Sequence, residues 1–299
     1  DRAKAPDIVV QRRVDEAATR IQQLQTGEAQ FVGGIPVRSV ADLKNDPNVN
    51  FISGQWWRQC FGFVNTKSGP TKDVHLREAL FYAFPYEQVQ EVAFQSMAAI
   101  PCGPCSPPGV GYEKQKELLG LCAQDMDRAK AALKKSAYPD GGVKLLCYVD
   151  TGMQDNMQAA QLFKQALKEL NIELDARYIA SDVAYTQALD ENPPQAIYIV
   201  EWTAFYPGLA NIALMKFLSD SAYNLTYLQD PKVDDLCYQA LAAEATDYAK
   251  AAELVAQAEQ QARKSFPYIW IADAEWRAAT ARNVESPGYP TFSAYMLHF

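Results

Sequence analysis

The hydrophobic pattern in the first part of the chain alternates between short apolar runs and amphipathic segments. Apolar runs predict strands over residues 8–10, 29–32, 50–53 and 60–64. Ala17, Ile21 and Leu24 lie at helical spacing and predict a helix that begins near Asp15, and a second short helix is predicted over 40–44. Such alternation of strands and helices is typical of an α/β layer.

The rest of the chain repeats this alternation after an irregular segment. Residues 100–112 contain four prolines and three glycines, which predicts a loop. Helices are predicted over 73–84, 86–95, 125–137, 156–170, 182–189, 231–245 and 247–265. Strands are predicted over 143–149, 172–179, 196–202, 267–271 and 278–281. The second series of strands and helices predicts a second sheet.

Length and charge limit the classes of function. A chain of 299 residues has the length of two lobes. Its net charge of −8 and its lack of a Lys/Arg cluster disfavour nucleic acid as a partner. The sequence contains no apolar run near the ~20 residues of a membrane span.

The sequence contains few residue types suited to catalysis or to metal binding. Only two histidines occur, and the pair Cys102 and Cys105 has no second compact Cys/His pair to complete a zinc site. Nucleotide-binding and hydrolase motifs are absent from the sequence as well. We therefore expect no enzyme activity, no metal and no cofactor. The CxxC spacing of Cys102 and Cys105 leaves one alternative, a thiol–disulfide redox protein.

Seven segments, in their order along the chain, carry a resemblance to a known family. They are residues 15–28, 63–70 (Phe63-Val64-Asn65-Thr66-Lys67-Ser68-Gly69-Pro70), 73–80 (Asp73-Val74-His75-Leu76-Arg77-Glu78-Ala79-Leu80), Ala137-Tyr138-Pro139-Asp140-Gly141, Glu201-Trp202-Thr203-Ala204, Pro231-Lys232-Val233-Asp234-Asp235-Leu236 and Phe266-Pro267-Tyr268-Ile269-Trp270. Through them the chain resembles the family 5 extracellular solute-binding proteins, the peptide- and nickel-type binding proteins of ABC importers. The resemblance runs over the whole chain and corresponds to the C-terminal part of family members.

The resemblance implies an α/β, type II periplasmic-binding-protein-like fold of two lobes, with lobe I incomplete. Residues 1–63 and 270–299 would belong to lobe I and residues 64–269 to lobe II, with a hinge where the chain crosses between them. The implied function is the substrate-binding component of an ABC import system, which captures a small solute between the lobes and delivers it to a membrane permease. The solute would be a peptide or another polar or aromatic ligand. The implied location is periplasmic or extracellular, with membrane contact only through an anchor or the permease.

The candidate ligand residues are aromatic and charged side chains near predicted strand ends. They are Trp56, Trp57, Arg58, Glu201, Trp202, Thr203, Ala204, Phe205, Tyr206 and Asn224. Ligands of open α/β sheets bind beyond the carboxyl ends of strands, where the segment after 196–202 would lie. A role in the core is the alternative for the tryptophans, and a role in a turn is the alternative for Asn224.

Two further expectations follow from the resemblance and the loop context. Oligopeptide-binding members place an aspartate after Trp-x-Ala to hold the amino terminus of a peptide, whereas this chain has Phe205 at that position. We therefore expect no such amino anchor. The family also has a Pro/Gly-rich loop at residues 100–112, so we expect Cys102 or Cys105 to form a structural disulfide in a surface loop, with Cys122 as the partner.

Overall fold

The structure of the chain, a computed structural model, describes residues 8–107, 111–203, 208–209 and 215–284. They form two compact units. The first unit takes the chain up to residue 54 and from residue 276 onward, and the second takes residues 55–275. Among the described residues, no helix has the length and apolar character needed to cross a membrane.

The first unit is built around a short antiparallel strand pair. Its elements are α1 (Ala17–Gln25), β1 (Phe31–Gly33), α2 (Val40–Asn45), the start of β2 (Val49–Val64) and the end of β7 (Tyr268–Ala281). Phe31 of β1 lies opposite Thr280 of β7. Residues 8–10, predicted as a strand, are exposed and outside regular structure. Their apolar side chains lack the burial that a strand of this composition requires.

The second unit contains a mixed sheet in which the strand order is β7-β2-β6-β4-β5. The strands that complete it are β3 (Ala98–Ala99), β4 (Val143–Asp150), β5 (Ile172–Ile179) and β6 (Ile197–Thr203). β4 runs parallel to β5 and β6, whereas β2 runs antiparallel to β6. The predicted second sheet is therefore wrong, because β6 joins the second series of strands to β2.

The described part of the second unit contains nine helices. They are α3 (Val74–Ala83), α4 (Tyr86–Gln88, continued by a π turn Val89–Ala93), α5 (Tyr112–Leu119), α6 (Met126–Leu133), α7 (Gln154–Leu167), α8 (Ser181–Ala188), α9 (Met215–Phe217), α10 (Pro231–Glu244) and α11 (Tyr248–Ala262). Of these, α7 and α8 pack against the sheet. Four of the nine begin at an aspartate whose carboxylate accepts from first-turn N–H groups: Asp73, Asp125, Asp230 and Asp247. Each such cap stabilises its helix by about 1 kcal/mol.

Aromatic side chains of β2 and β7 form the centre of the core in the second unit. The rings of Tyr268 and Trp270 stack with centroids 4.6 Å apart, and Phe61 meets both rings at 5.4–5.9 Å. All three residues are almost fully buried. Aromatic pairs of this kind stabilise a core beyond the area they bury, by about 0.5–1.5 kcal/mol each.

Candidate functional site

The carboxyl end of β6 is the point where charged side chains predicted from the sequence come together. The antiparallel register places Arg58 opposite Thr203 and Cys60 opposite Glu201. Because side chains alternate between the faces of a sheet, Arg58 and Glu201 lie on the same face. Gln59, between Arg58 and Cys60, points to the other face together with Trp202.

Arg58 and Glu201 form a largely buried ion pair. Arg58 Nη2 donates to Glu201 Oε2, and Nη1 donates to the backbone oxygen of Glu275 at 3.1 Å. The two side chains are only 12% and 13% exposed. Burial lowers the pKa of Arg58, but the Glu201 carboxylate outweighs burial, so the pKa lies above its ordinary value. This pair fixes a guanidinium group and a carboxylate across β2 and β6.

The first turn of α7 brings two more polar residues to this region. α7 follows the carboxyl end of β4 after a three-residue turn, 151–153. Asp155 is buried and acts electrostatically on Arg58. Asn156 is 1% exposed, and neither its Oδ1 nor its Nδ2 has a hydrogen-bond partner. The sequence pattern placed the helix start at Asn156 but did not single out either residue. The usable signal was a pair of polar residues directly after a buried strand.

Apart from Asn224, the remaining predicted ligand residues fall into three groups. Trp202 is partly buried, and its ring meets Tyr223 edge-on at 5.2 Å. Trp56 and Trp57 continue the backbone of β2, and Thr203 ends β6. The side chains of those three residues, and Ala204, Phe205 and Tyr206 entirely, lie outside the described residues.

Asn224 holds a turn. Its Nδ2 donates to the backbone oxygens of Phe217, Leu218 and Leu228 at 3.1–3.4 Å, and its Oδ1 accepts from Thr226 at 2.6 Å. These contacts use both ends of the carboxamide. They favour the turn role that the sequence left open beside ligand binding.

The predicted disulfide between Cys122 and Cys102 or Cys105 is wrong. All six are free and buried, so the loop that carries Cys102 and Cys105 lies inside the unit rather than at the surface. The physical reason is Gln115 of α5, a helix that the sequence pattern missed. Its Nε2 donates to Cys102 Sγ at 3.2 Å and to the Cys105 oxygen at 3.1 Å, and its Oε1 accepts from the Cys105 N–H at 3.1 Å.

The same burial removes the chemical basis of the redox alternative. Burial raises the pKa of Cys102 to about 11 and that of Cys105 to about 12. Dithiol redox proteins depend on a thiolate with a lowered pKa and some access to solvent. Neither condition holds for these two thiols. Across the described ranges, no group of three or more His, Cys, Asp or Glu side chains is placed to hold a metal ion.

A second buried polar cluster lies around Gln59. Its Oε1 accepts from Lys216 Nζ at 3.0 Å, and its Nε2 donates to Asp273 Oδ1 at 3.0 Å and to the Gly103 oxygen at 2.7 Å. Lys216 and Asp273 are both fully buried, and burial brings the pKa of each to about 7. This cluster lies inside the second unit, and its hydrogen bonds connect the loop containing Gly103 to β2 and β7.

Two surface cavities of the second unit have linings that do not include Arg58 or Glu201. One of about 610 Å³ lies between the starts of α5 and α11, where Gly111 and Asp247 line it. The other, of about 330 Å³, lies beside Pro70 and Gln195. Neither cavity therefore belongs to the candidate site, whose position follows from the buried charges of Arg58 and Glu201.

Comparison with known protein families gives a match over most of the chain. The model of the bacterial extracellular solute-binding proteins, family 5 Middle, matches residues 1–224. The glutathione-binding protein GsiB of Escherichia coli O6:K15:H31 is 26% identical over 288 residues, which cover 93% of this chain and 54% of that protein. The chain thus spans about half the length of the curated relatives it matches.

Solved structures show the same fold. The periplasmic binding protein DppA of Helicobacter pylori, in complex with the peptide STSA, is similar with a TM-score of 0.82 at 20% identity, over 94% of this chain and 54% of that one. NikA of Staphylococcus aureus, in complex with Ni(L-His)2, is similar with a TM-score of 0.76 at 18% identity, over 91% and 57%. The predicted type II periplasmic-binding-protein-like fold, with one lobe incomplete, is confirmed.

Proposed function

The chain belongs to the bacterial extracellular solute-binding proteins of family 5, and from that membership we propose that it is the substrate-binding component of an ABC import system. It captures a small solute and hands it to a membrane permease, without making or breaking a covalent bond. The proposal includes a periplasmic or extracellular location, with a lipid anchor or the permease as the only attachment to a membrane. The predicted lobe bounds, 1–63 and 270–299 against 64–269, stay part of this proposal.

The Arg58–Glu201 pair is the observation that carries the proposal. Two opposite charges are held nearly buried where parallel strands β4 and β6 end. Ligands of open α/β sheets bind at this end of the strands. Charged groups with fixed geometry in a partly dry environment orient polar solutes strongly, because their hydrogen bonds are charge-assisted.

The pair also supports the prediction that the usual amino anchor for peptides is missing. Glu201 is the carboxylate in the described strand nearest to the Phe205 position, and Arg58 already holds it. A free ammonium group would have to compete with a guanidinium for that carboxylate. A solute held mainly through its own carbonyl, carboxylate or amide groups fits this arrangement better than one held through a free amine.

Ligand-dependent stabilisation of the intact protein tests the proposal. The probes are glutathione, the tetrapeptide STSA and Ni(L-His)2, together with whatever solute mass spectrometry finds bound to the purified protein. A true ligand at 100 times its Kd stabilises the folded protein by about 2.7 kcal/mol, which raises the melting temperature measurably. If no probe and no co-purifying solute raises it, the proposed function is wrong.

A pair of double variants locates the binding in this site. Arg58→Met with Glu201→Leu removes both charges together, so no unpaired charge stays buried. We expect this variant to melt normally and to lose the ligand-dependent shift. Lys130→Met with Glu169→Leu removes an exposed ion pair of the same unit as a control and should keep the shift. Equal shifts in both double variants would place the solute elsewhere.

A further inference from the structure

Asn156 stands apart from the other buried asparagines of the second unit because its carboxamide is unused. It is the third residue of α7, is 1% exposed, and has no hydrogen-bond partner at either Oδ1 or Nδ2. Asn65 and Asn224 are buried as well, but other groups of the protein form hydrogen bonds with both ends of their carboxamides. Buried polar groups are nearly always hydrogen-bonded, so an unused carboxamide needs an explanation.

Packing of α7 does not explain an asparagine at this position. The buried stripe of the helix continues from Asn156 through Ala159, Ala160 and Phe163 to Leu167, all apolar. An alanine at position 156 would extend this stripe and suit the helix better, because asparagine has the lower helix propensity. Asn156 therefore lowers the stability of the ligand-free protein relative to an alanine at the same position.

The position of Asn156 connects it with the candidate solute site. The N-cap residue of α7, Met153, forms no side-chain hydrogen bond to the first turn of the helix. Asp155, its neighbour in that turn, acts electrostatically on Arg58. The turn that carries the unused carboxamide thus belongs to the same group of polar residues as the Arg58–Glu201 pair.

We propose that Asn156 is a specificity-determining residue of the solute site, where its carboxamide pairs with a peptide or carboxamide group of the solute. This inference rests on the proposed function. The kind of ligand group follows from the two unpaired ends of the Asn156 carboxamide. Nδ2 supplies a hydrogen-bond donor and Oδ1 an acceptor on one planar group. A peptide group offers the complementary pair, a carbonyl oxygen and an N–H.

The competing explanation is a trapped water molecule that satisfies Asn156 within the protein. A buried water of this kind is part of the structure and is costly to remove. The two explanations predict opposite effects of Asn156→Ala on the ligand-free protein. A carboxamide reserved for the solute leaves the melting temperature unchanged or raised when it is deleted. A carboxamide held by water leaves it lowered.

The experiment compares Asn156→Ala with Asn65→Ala in the intact protein. Asn65 contacts three acceptors and two backbone N–H groups, so its loss should lower the melting temperature and sets the scale for a structural asparagine. Calorimetry then measures binding of glutathione, STSA and Ni(L-His)2, of which only the first two contain peptide bonds. We expect Asn156→Ala to weaken binding of the peptide-containing probes by about 10- to 100-fold, as expected for the loss of two hydrogen bonds. Binding of Ni(L-His)2 should change far less.

Each other outcome overturns the inference. A melting temperature lowered as far as in Asn65→Ala makes Asn156 structural, whatever the affinities. Unchanged affinity of Asn156→Ala for a peptide-containing probe removes its role in recognition. If wild-type protein binds Ni(L-His)2 or a co-purified solute without an amide, but neither peptide probe, the ligand class is wrong while the proposed function stands. If it binds no solute at all, the proposed function fails with it.

Discussion

Buried Lys216 should make the stability of the protein rise with pH just above neutrality, and Lys216→Met should abolish that rise. Its side chain is 1% exposed, and Nζ lies 4.6 Å from the centre of the Phe61 ring and 5.4 Å from that of Trp270. Its Nζ donates to Gln59 Oε1 at 3.0 Å, and the titratable groups that act on it are Cys105, Asp273 and Glu259. Burial lowers the pKa of Lys216 from 10.5 to about 7, despite the pull of these groups.

The direction of the pH effect follows from proton binding in the two states. Between pH 7 and 10.5 the unfolded chain keeps the proton on Lys216 while the folded protein releases it, so the free energy of unfolding rises with pH. From pH 7 to 8.5 this single group adds between about 1 and 2 kcal/mol. Burial raises the pKa of Asp273 from 3.8 to about 7, which acts in the opposite sense and subtracts less than about 1 kcal/mol in the same window. Five buried thiols with a raised pKa also act in this opposite sense, because thiols of the unfolded chain, with an ordinary pKa of 9.0, are partly ionised by pH 8.5. The net rise is about half a kcal/mol, or about 1–2 °C in melting temperature for a unit of this size.

Thermal unfolding at pH 7.0, 7.5, 8.0 and 8.5 measures this slope. The window ends at 8.5 because above it the ionisation of thiols in the unfolded chain, with an ordinary pKa of 9.0, outweighs the contribution of Lys216. In Lys216→Met the slope should vanish or reverse, since Asp273 then loses a nearby positive charge and its pKa rises further. Lys135→Met, at an exposed position, controls for the loss of a lysine and should keep the wild-type slope. A wild-type slope retained in Lys216→Met would refute the reasoning.

Three further predictions concern the same unit. Glu201→Gln leaves the Arg58 guanidinium without its carboxylate and should lower the free energy of unfolding by roughly 3 kcal/mol in urea titrations, most of which Arg58→Met should restore in the double variant. Asp73→Ala removes the acceptor of three backbone N–H groups, so we expect a loss of about 2 kcal/mol by the same measurement. Burial alone would raise the pKa of Asp73, but the three N–H donors lower it below its ordinary value of 3.8. The difference in stability between the wild-type protein and Asp73→Ala should therefore disappear as the pH falls through this lowered pKa. Gly141→Ala should lower the melting temperature more than Gly142→Ala, since both residues have positive φ near 72° but only a Cβ at 141 would collide with backbone.

Local patterns predicted most elements of the fold, and two of the misses have related causes. Residues 49–64 form a single strand, although the sequence predicted two, separated by residues 54–59, which include the polar Arg58 and Gln59. Those polar residues have partners far away along the chain, because Arg58 pairs with Glu201 and Gln59 with Asp273. Hydrophobic periodicity reports only which side chains avoid water. It cannot show that a polar side chain in a strand is satisfied by a residue more than a hundred positions away.

The cysteine loop failed for a related reason. Its prolines and glycines correctly predicted irregular backbone over residues 101–107, and such backbone usually lies at the surface. Here Gln115 satisfies the polar groups of the loop from within the protein, which lets Cys102 and Cys105 be buried as free thiols. The spacing of two cysteines carries no information about such a partner.

The buried polar groups of the second unit divide by whether the protein itself compensates them. Arg58 is matched by Glu201, and Lys216 and Asp273 are linked through Gln59, while burial shifts the pKa of both Lys216 and Asp273 toward the uncharged form. Asn156 has no such compensation. Side chains that destabilise a fold, and that no interaction within the protein compensates, are expected where function requires them. By this reasoning the unsatisfied carboxamide, together with the Arg58–Glu201 pair, marks where a molecule from outside completes the structure.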